Sequence, residues 1–358
     1  MGETDQRLRS ETAFPSGKIV QDIVQTLDAC LSDAERPVPL HKPTFEGNEW
    51  AYVRECIDTE WVSSVGGYVN RFEEDLAEYT GARRAVVAVN GTAALQVCLR
   101  LVGVEHGDEV LMPALTFVAT ANAVSYLGAT PHFVDSEERT LGLDPEKLGA
   151  YLDDIAEVRD DTCVNTQTGQ PIRAVVPMHA YGHPVDLDPL QDVCEKYQLS
   201  LVEDAAESLG SFYKGDHTGT RGRCAALSFN GNKTITTGGG GAILTDDEEL
   251  ADAAKHLTTV AKKDHEWEYV HDQVGYNYRL PNLNAALGCA QLEQLPDFLE
   301  LKRTLAERYR HAFSEVDGVS FVQEPDFARS NYWLNVILLD EADLDRRDAV
   351  LKATNDTG

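Results

Sequence analysis

The chain has 358 residues, 42% of them hydrophobic, which is enough for one large α/β domain and a smaller second one. A formal net charge of -29 argues against binding to nucleic acid or to anionic membranes. No apolar run reaches membrane-spanning length, and the start lacks both the basic flank and the apolar stretch of a signal peptide. These features predict a soluble, cytoplasmic protein.

The seven cysteines are scattered singly along the chain. None belongs to a CxxC pair, and most lie within apolar or helical patterns. This distribution argues against a disulfide framework and against a zinc site. We therefore expect the cysteines to be small buried hydrophobic side chains, and we predict no metal.

An amphipathic pattern predicts a helix within residues 1–36 that docks on the rest of the chain. Its apolar positions are Ile19, Ile23, Val24, Leu27 and Leu31, and the pattern ends at Pro37 and Pro39. Helical spacing returns from residue 45 to 79, interrupted by WVSSVGGYV. That Gly/Ser segment is either a loop over a site or a simple turn, and the sequence leaves both open.

Strand and helix patterns then alternate. Strands are predicted at 85–89, 109–113, 130–135, 173–178, 199–204, 225–230 and 241–246, and helices at 93–102, 119–127 and 187–197. Such alternation is typical of a mostly parallel sheet that is covered on both faces and binds ligands at the carboxyl ends of its strands. We assign residues 37–280 to this large α/β domain.

After Leu280 the pattern becomes helical, at 282–295 and 300–316. A strand-like segment, YWLNVILLD, follows, and the last residues begin a further helix. Residues 281–358 are therefore predicted to form a smaller α+β domain.

The turn Asn90-Gly91-Thr92 lies between a predicted strand and a predicted helix. The first turn of a helix offers unpaired N–H groups and a positive dipole end, so the backbone of Thr92 and Ala93 and the Thr92 hydroxyl can bind a phosphate. An ordinary helix cap explains the same residues, and this turn alone does not decide between the two.

Asp204 comes at the end of a buried strand and is followed by small residues, in EDAAE. A carboxylate at that position needs a cationic partner, and a protonated pyridine nitrogen is one. A helix N-cap is an equally good explanation of Asp204 by itself.

Lys233 follows another predicted strand, in SFNGNKTITTGGGG, five residues after Ser228. A lysine in a polar segment with few cations can form an imine with an aldehyde and later move protons as a base. An isolated lysine is more often an exposed loop residue. The four glycines do not form a dinucleotide loop, since no GxGxxG precedes a helix there.

The order of these motifs plainly resembles the DegT/StrS family of nucleotide-sugar aminotransferases, which depend on pyridoxal 5'-phosphate (PLP). The resemblance covers about residues 37–340, through NGTAAL, PALTFVATANAV, GATPHFVD, HAYGHPVDLDPL, VEDAAESLGS, LSFNGNKTITTGGGGAILT and VGYNYRLPNLNAALGCAQL. It implies an aspartate-aminotransferase-like (fold type I) large domain. Relatives usually continue for some tens of residues beyond the last one here, so whether the small domain is truncated is left open.

The resemblance also implies roles for individual residues. Lys233 would hold the cofactor as a Schiff base and act as the catalytic base, and Asp204 would pair with its ring nitrogen. Its phosphate would be held by Thr92, Ala93 and Ser228. Phe117 matches the position that stacks on the ring, although packing in the core is an alternative.

Two further positions are implied only by the family pattern. Glu207 matches a residue, Gln or Glu in relatives, that lies near the ring hydroxyl. Asn277 matches a residue that reaches the phosphate of a neighbouring subunit, which implies a homodimer with a shared site.

TTGGGG, HKPTFEGNEW and WVSSVG look most like the LegC-type branch, which is associated with 4-amino sugars for legionaminic-acid and related surface glycans. The reaction implied is transfer of an amino group from glutamate to a nucleotide-linked 4-keto-6-deoxy sugar. Most relatives carry Glu where this chain has Gly239, which weakens inferences about the substrate.

The sequence leaves two alternatives open and disfavours two others. A 3-keto sugar is an alternative substrate, and a non-catalytic ligand-binding descendant of the fold is an alternative class. Related sugar dehydratases carry His at the cofactor position, so Lys233 favours aminotransfer. A nicotinamide-dependent dehydrogenase is disfavoured because the dinucleotide fingerprint is missing.

The charge composition predicts adaptation to high ionic strength. Acidic residues number 60 and basic residues 31, of which 20 are Arg and 11 are Lys. Dissolved salt screens the repulsion among the carboxylates, so we expect the free energy of unfolding, measured by urea titration, to rise with added KCl. Full stability without salt would contradict this prediction.

Overall fold

The computed structural model describes residues 17–358 and divides them into two compact units. The larger unit contains His41–Arg303 and Glu324–Leu334. The smaller one contains the described residues up to Leu40, together with Thr304–Gln323 and Asn335–Gly358. The division therefore differs from the boundaries at 36/37 and 280/281 expected from sequence, and the amino-terminal part of that first segment, residues 1–16, lies outside the described residues.

Helices and strands follow one another through most of the described chain. The helices are α1 Gly17–Cys30, α2 Glu49–Asp58, α3 Gly67–Thr80, α4 Gly91–Leu101, α5 Val118–Tyr126, α6 Pro145–Ile155, α7 Leu187–Tyr197, α8 Glu248–Thr258, α9 Asn282–Glu293, α10 Leu295–Phe313 and α11 Leu344–Thr357. The strands are β1 Arg84–Ala88, β2 Glu109–Pro113, β3 Thr130–Val134, β4 Ala156–Arg159, β5 Thr162–Asn165, β6 Pro171–Val175, β7 Ser200–Asp204, β8 Phe212–Tyr213, β9 Asp216–His217, β10 Cys224–Ser228, β11 Gly241–Thr245, β12 Val319–Phe321, β13 Ala328–Arg329 and β14 Ile337–Leu339.

The central sheet of the larger unit is mixed and mostly parallel. Its main strand order is β1-β11-β10-β7-β6-β2-β3, with the β4–β5 hairpin attached to β6. Strands β10, β7, β6, β2 and β3 pair in parallel, and β11 is antiparallel to both of its neighbours. This architecture confirms the predicted α/β fold class with a mostly parallel sheet.

The helical and strand patterns in the sequence correspond to buried faces. In α7, the side chains of Leu187, Leu190, Cys194 and Tyr197 are buried at helical spacing. Strand β11 is buried at every position, as expected of a central strand with both faces covered. All seven cysteines are buried and unpaired, as small apolar side chains would be.

Helix α9 belongs to the larger unit because it packs into a core there. Ala285, Cys289 and Leu292 share an apolar cluster with Phe72 and Leu76 of α3. The contact is close: a Cβ added at Gly288 would lie 2.6 Å from the Phe72 ring. The packing of α9 is thus decided by residues more than 200 positions earlier, which local periodicity does not reveal.

The smaller unit has its own core. Ile23 and Cys30 of α1 pack with Tyr309, Phe313 and Val319. Strands β12 and β14 pair antiparallel in the same unit. Among the helices of residues 17–358, none combines the length and hydrophobicity needed to cross a membrane.

The strand predicted at YWLNVILLD is mostly wrong, since only Ile337–Leu339 is extended as a strand. Tyr332 has a left-handed backbone, with φ of 47°, and the Asn331 side chain accepts a hydrogen bond from the Trp333 N–H. These local bonds replace a strand ladder. The consequence is that Trp333 enters the larger unit from an irregular segment.

Candidate active site

The site lies at one edge of the central sheet. Strands β6, β7 and β10 run parallel, so their carboxyl ends share that edge. Asp204 is the last residue of β7 and Ser228 the last residue of β10. Strand β11 is antiparallel to both β1 and β10, so β1 runs in the same direction as β10. Strand β1 ends at Ala88 and leads into α4.

The cap of α4 is Asn90. Its side chain accepts a hydrogen bond of 2.8 Å from the Ala93 N–H, so the capping role proposed for this turn is real but belongs to Asn90 rather than Thr92. The Ala93 N–H, one of the groups expected to hold a phosphate, is thus already engaged. The dipole of α4 and the Thr92 hydroxyl are the parts of the predicted anion site that this bond does not occupy.

Two glycines bring the α4 turn against the neighbouring strands. A Cβ on Gly91 would lie 2.8 Å from the Ser228 Cβ, and one on Gly241 would lie 2.6 Å from the backbone of Asn90. Only glycine allows the chains to approach so closely. The Ser228 side chain therefore lies beside the amino terminus of α4. Gly239 differs, because a Cβ there would meet nothing within 4 Å.

Asp204 is 5% exposed and is held on both carboxylate oxygens. Its Oδ2 accepts a hydrogen bond of 2.7 Å from the Thr120 hydroxyl, and its Oδ1 accepts one of 3.2 Å from the Ala206 N–H. The element that directly follows β7 is strand β8 and not a helix, so the N-cap explanation of Asp204 is wrong. The carboxylate is oriented by side-chain and backbone donors instead.

Lys233 is largely buried, and its Nζ lies 3.2 Å from the Glu207 Oε1. The other carboxylate oxygen, Oε2, accepts a hydrogen bond of 2.8 Å from the Tyr181 N–H. Burial raises the pKa of Glu207, while the nearby Lys233 charge opposes that rise. The exposed loop lysine considered as an alternative is therefore wrong for Lys233.

Trp333 forms an aromatic wall beside the lysine. The centre of its ring lies 4.1 Å from the Lys233 Nζ, and its indole N–H donates a hydrogen bond of 2.7 Å to the Asn232 carbonyl. This distance is within the range of a cation–π interaction. Trp333 also lines a cavity with Leu115, Thr116, Phe117, Met178, Ala180, Tyr181, Glu207 and Leu334.

Phe117 does not pack in the core. Its side chain is 61% exposed and lies on the wall of that same cavity, at the residue that precedes α5. The core-packing alternative is therefore wrong. An exposed aromatic face at a cavity wall is the geometry that stacking on a planar ligand requires.

The Asn277 side chain pairs with Arg279. It is exposed and accepts hydrogen bonds of 3.0 and 2.7 Å from the Arg279 guanidinium. Its predicted contact with a neighbouring subunit stays a prediction.

Sequence reasoning missed several residues of the site. Trp333 lies in a segment whose pattern indicates a strand, and that pattern does not point to a role in the site. Thr116 and Thr120 were detectable in principle, because two hydroxyls four residues apart fall on the same side of a helix start. Tyr181 lies within the motif HAYGH but carried no separate signal.

Comparison with known proteins now becomes informative. The family model described as the DegT/DnrJ/EryC1/StrS aminotransferase family matches residues 43–358. The chain belongs to this family. The GDP-perosamine synthase of Caulobacter vibrioides is 38% identical over 325 residues, which are 90% of this chain and 82% of that protein.

Solved structures of aminotransferases have the same fold. The aminotransferase TlmJ of Streptoalloteichus hindustanus has a TM-score of 0.80 and 31% identity, covering 90% of this chain and 83% of that one. PseC of Helicobacter pylori, an aminotransferase of pseudoaminic acid biosynthesis, has a TM-score of 0.75 and 25% identity, covering 84% of this chain and 77% of that one. Aminotransferases of the DegT/StrS family use pyridoxal phosphate.

The residues present fit that cofactor. The Ser228 hydroxyl beside the α4 amino terminus suits a phosphate, and the exposed Phe117 ring suits a planar heterocycle. The oriented Asp204 carboxylate suits a protonated ring nitrogen, and the buried Lys233 amine suits an aldehyde. The absence of side chains at Gly91 and Gly241 is what lets Ser228 and the α4 turn lie so close together.

His183, in the HAYGH motif, is fully buried. Neither ring nitrogen has a hydrogen-bond partner among residues 17–358, and the ring packs edge-on to Tyr332. Burial lowers the pKa of His183 to about 4 from its ordinary value of 6.5. Below pH 6.5 the unfolded chain therefore binds a proton that the folded chain does not, so this group reduces stability progressively as the pH falls towards 4.

Replacing His183 should flatten the dependence of stability on pH. The difference in the free energy of unfolding between His183→Leu and the parent protein should favour the variant by about 2 kcal/mol more at pH 5 than at pH 8. Urea unfolding titrations at the two pH values measure it. His311→Leu, a change at an exposed histidine, serves as the control and should leave the slope unchanged. Equal slopes for the parent and His183→Leu would contradict the prediction.

Proposed function

We propose that this chain is a PLP-dependent transaminase that moves an amino group from glutamate to the keto group of a nucleotide-linked 4-keto-6-deoxy sugar. The observation that carries the proposal is the buried Lys233 amine, held between Glu207 and Trp333 at the carboxyl edge of the family sheet. An unreactive surface lysine would need neither this burial nor these contacts.

Lys233 would hold the cofactor covalently and act as the base. When bound, the cofactor withdraws electrons from the α-carbon of the amino donor through its protonated ring. The Lys233 Nζ, once displaced by the donor, takes the proton from that α-carbon and returns a proton during transfer. Glu207, 3.2 Å away, keeps the amine in place.

The other predicted residues would bind and orient. Asp204 would pair with the ring nitrogen, and Phe117 would stack on the ring. The phosphate would lie between Ser228 and the amino terminus of α4, with Thr92 adding its hydroxyl. Ala93 would lie beside the phosphate in the first turn of α4, where its N–H is already bonded to the Asn90 side chain.

The identity of the sugar is supported only by sequence motifs and by the names of relatives. The LegC-like motifs favour a 4-amino sugar of a legionaminic-acid-like surface glycan, whereas the relatives named above make GDP-perosamine or act in pseudoaminic acid biosynthesis. These names agree on polysaccharide or nucleotide-sugar biosynthesis but not on one substrate. A 3-keto sugar remains the alternative substrate, and a non-catalytic descendant is the alternative class.

The reaction can be tested with a panel of nucleotide-linked 3-keto and 4-keto sugars, supplied with glutamate and PLP. We expect an amino-sugar product by mass spectrometry, with the amine placed at C4 by NMR. Lys233→Ala should abolish both turnover and the imine absorbance, because the covalent link and the base are both lost. Lys214→Ala, at an exposed lysine, is the matched control. Retained turnover in Lys233→Ala would refute the assignment.

We further propose that the enzyme is a cytoplasmic homodimer in which Asn277 completes the partner's site. Lys233→Ala and Asn277→Asp should each be impaired, the second because a carboxylate repels the phosphate. A purified heterodimer of the two variants would contain one intact site, so we expect about half of the parent activity. A heterodimer as inactive as the two homodimers of the single variants would contradict a shared site.

A further inference from the structure

A chain of hydroxyl groups leads from the cavity wall to Asp204. The Thr116 hydroxyl, at the cavity, lies 3.0 Å from the Thr120 hydroxyl, which lies 2.7 Å from the Asp204 Oδ2. The Thr120 side chain is fully buried. Thr120 is on α5, immediately after the loop that carries Phe117.

The chemistry of these groups fixes the direction of the bonds. An ionised carboxylate only accepts hydrogen bonds, so the single Thr120 proton points to Asp204. The Thr120 oxygen can then serve Thr116 only as an acceptor, and Thr116 is the donor in that pair. The Thr120 hydroxyl is therefore the donor of a charge-assisted hydrogen bond to the Asp204 carboxylate.

The contact also fixes the carboxylate in space. The Ala206 N–H holds Oδ1 while Thr120 holds Oδ2, so rotation of the carboxylate breaks at least one of these bonds. The β7 backbone is held as well, since the Asp204 N–H donates a hydrogen bond of 2.9 Å to the Pro177 carbonyl. Of these contacts, Thr120 is the one made by a side-chain hydroxyl, which a substitution can remove without altering the backbone.

We propose that Thr120 is a positioning residue whose hydroxyl keeps the Asp204 carboxylate oriented towards the cofactor's ring nitrogen, so that this nitrogen stays protonated. This inference rests on the proposed pairing of Asp204 with that nitrogen. Because Phe117 immediately precedes α5, one short segment holds both the aromatic face that would stack on the ring and the hydroxyl that orients Asp204.

The test compares Thr120→Val, Thr120→Ser and the control Thr258→Val, which removes another buried helical hydroxyl, at a site in α8. Each variant is loaded with PLP labelled with ¹⁵N at the ring, and the ¹⁵N chemical shift is followed with pH alongside the dissociation constant of the cofactor. Thr120→Val should move the shift towards the unprotonated ring and weaken binding about tenfold, the effect of losing one charge-assisted hydrogen bond. Thr120→Ser and Thr258→Val should retain the parent values.

Asp204→Asn separates failure of this inference from failure of the proposed function. If Asp204→Asn changes the ¹⁵N shift and Thr120→Val does not, the role of Thr120 is overturned while the pairing of Asp204 stands. If Asp204→Asn itself keeps the parent shift and affinity, both assignments fall. Should Thr120→Val not fold, Thr120→Ala is measured in its place, and a parent-like shift in that variant overturns the inference.

Discussion

Parallel pairing of β6, β7 and β10 places the carboxyl ends of these strands at one edge of the sheet, and several residues of the site reach that edge from them. Asp204 and Ser228 are the terminal residues of two of these strands, and Lys233 follows five residues after the second. The antiparallel β11 then returns the chain so that Gly241 lies against the α4 turn. Each group is positioned by backbone that is buried and hydrogen-bonded, which limits its freedom before any ligand arrives.

Electrostatics inside the site follow from burial. Glu207 and Lys233 are both poorly exposed and 3.2 Å apart, and removing either partner would leave a buried charge without compensation. Trp333 adds an aromatic face on another side of the amine. A pair of this kind gives little net stability but can fix a reactive amine in one position. The net charge of -29 acts over the whole surface, whereas these contacts act within a few ångströms of the lysine.

The parts that were predicted from sequence are those with a local signal. Helix α7 begins and ends at the predicted residues, and Asp204 ends its strand as expected, because buried periodic segments between turn residues are locally specified. Helices α6 and α8 were not identified, although Asp144 and Asp247 cap them. Their amphipathic patterns are short and rich in charged residues.

Other features depend on distant parts of the chain. Helix α9 belongs with Phe72 and Leu76, and the division into units follows that packing rather than sequence order. Trp333 reaches the lysine because side chains such as Asn331 bond the local backbone and prevent a strand. The family resemblance indicated candidate cofactor residues, but it did not indicate the aromatic wall or the Thr120 hydroxyl.

The central claim is that Lys233 is the residue that carries the cofactor. Reduction of the holoenzyme with borohydride, followed by proteolysis and mass spectrometry of the peptides, tests it most directly because the reduced link survives digestion. The account predicts a pyridoxyl group on the peptide that contains Lys233 and on no other. A pyridoxyl group on a different lysine, or a Lys233 peptide of unmodified mass from fully loaded enzyme, would contradict it.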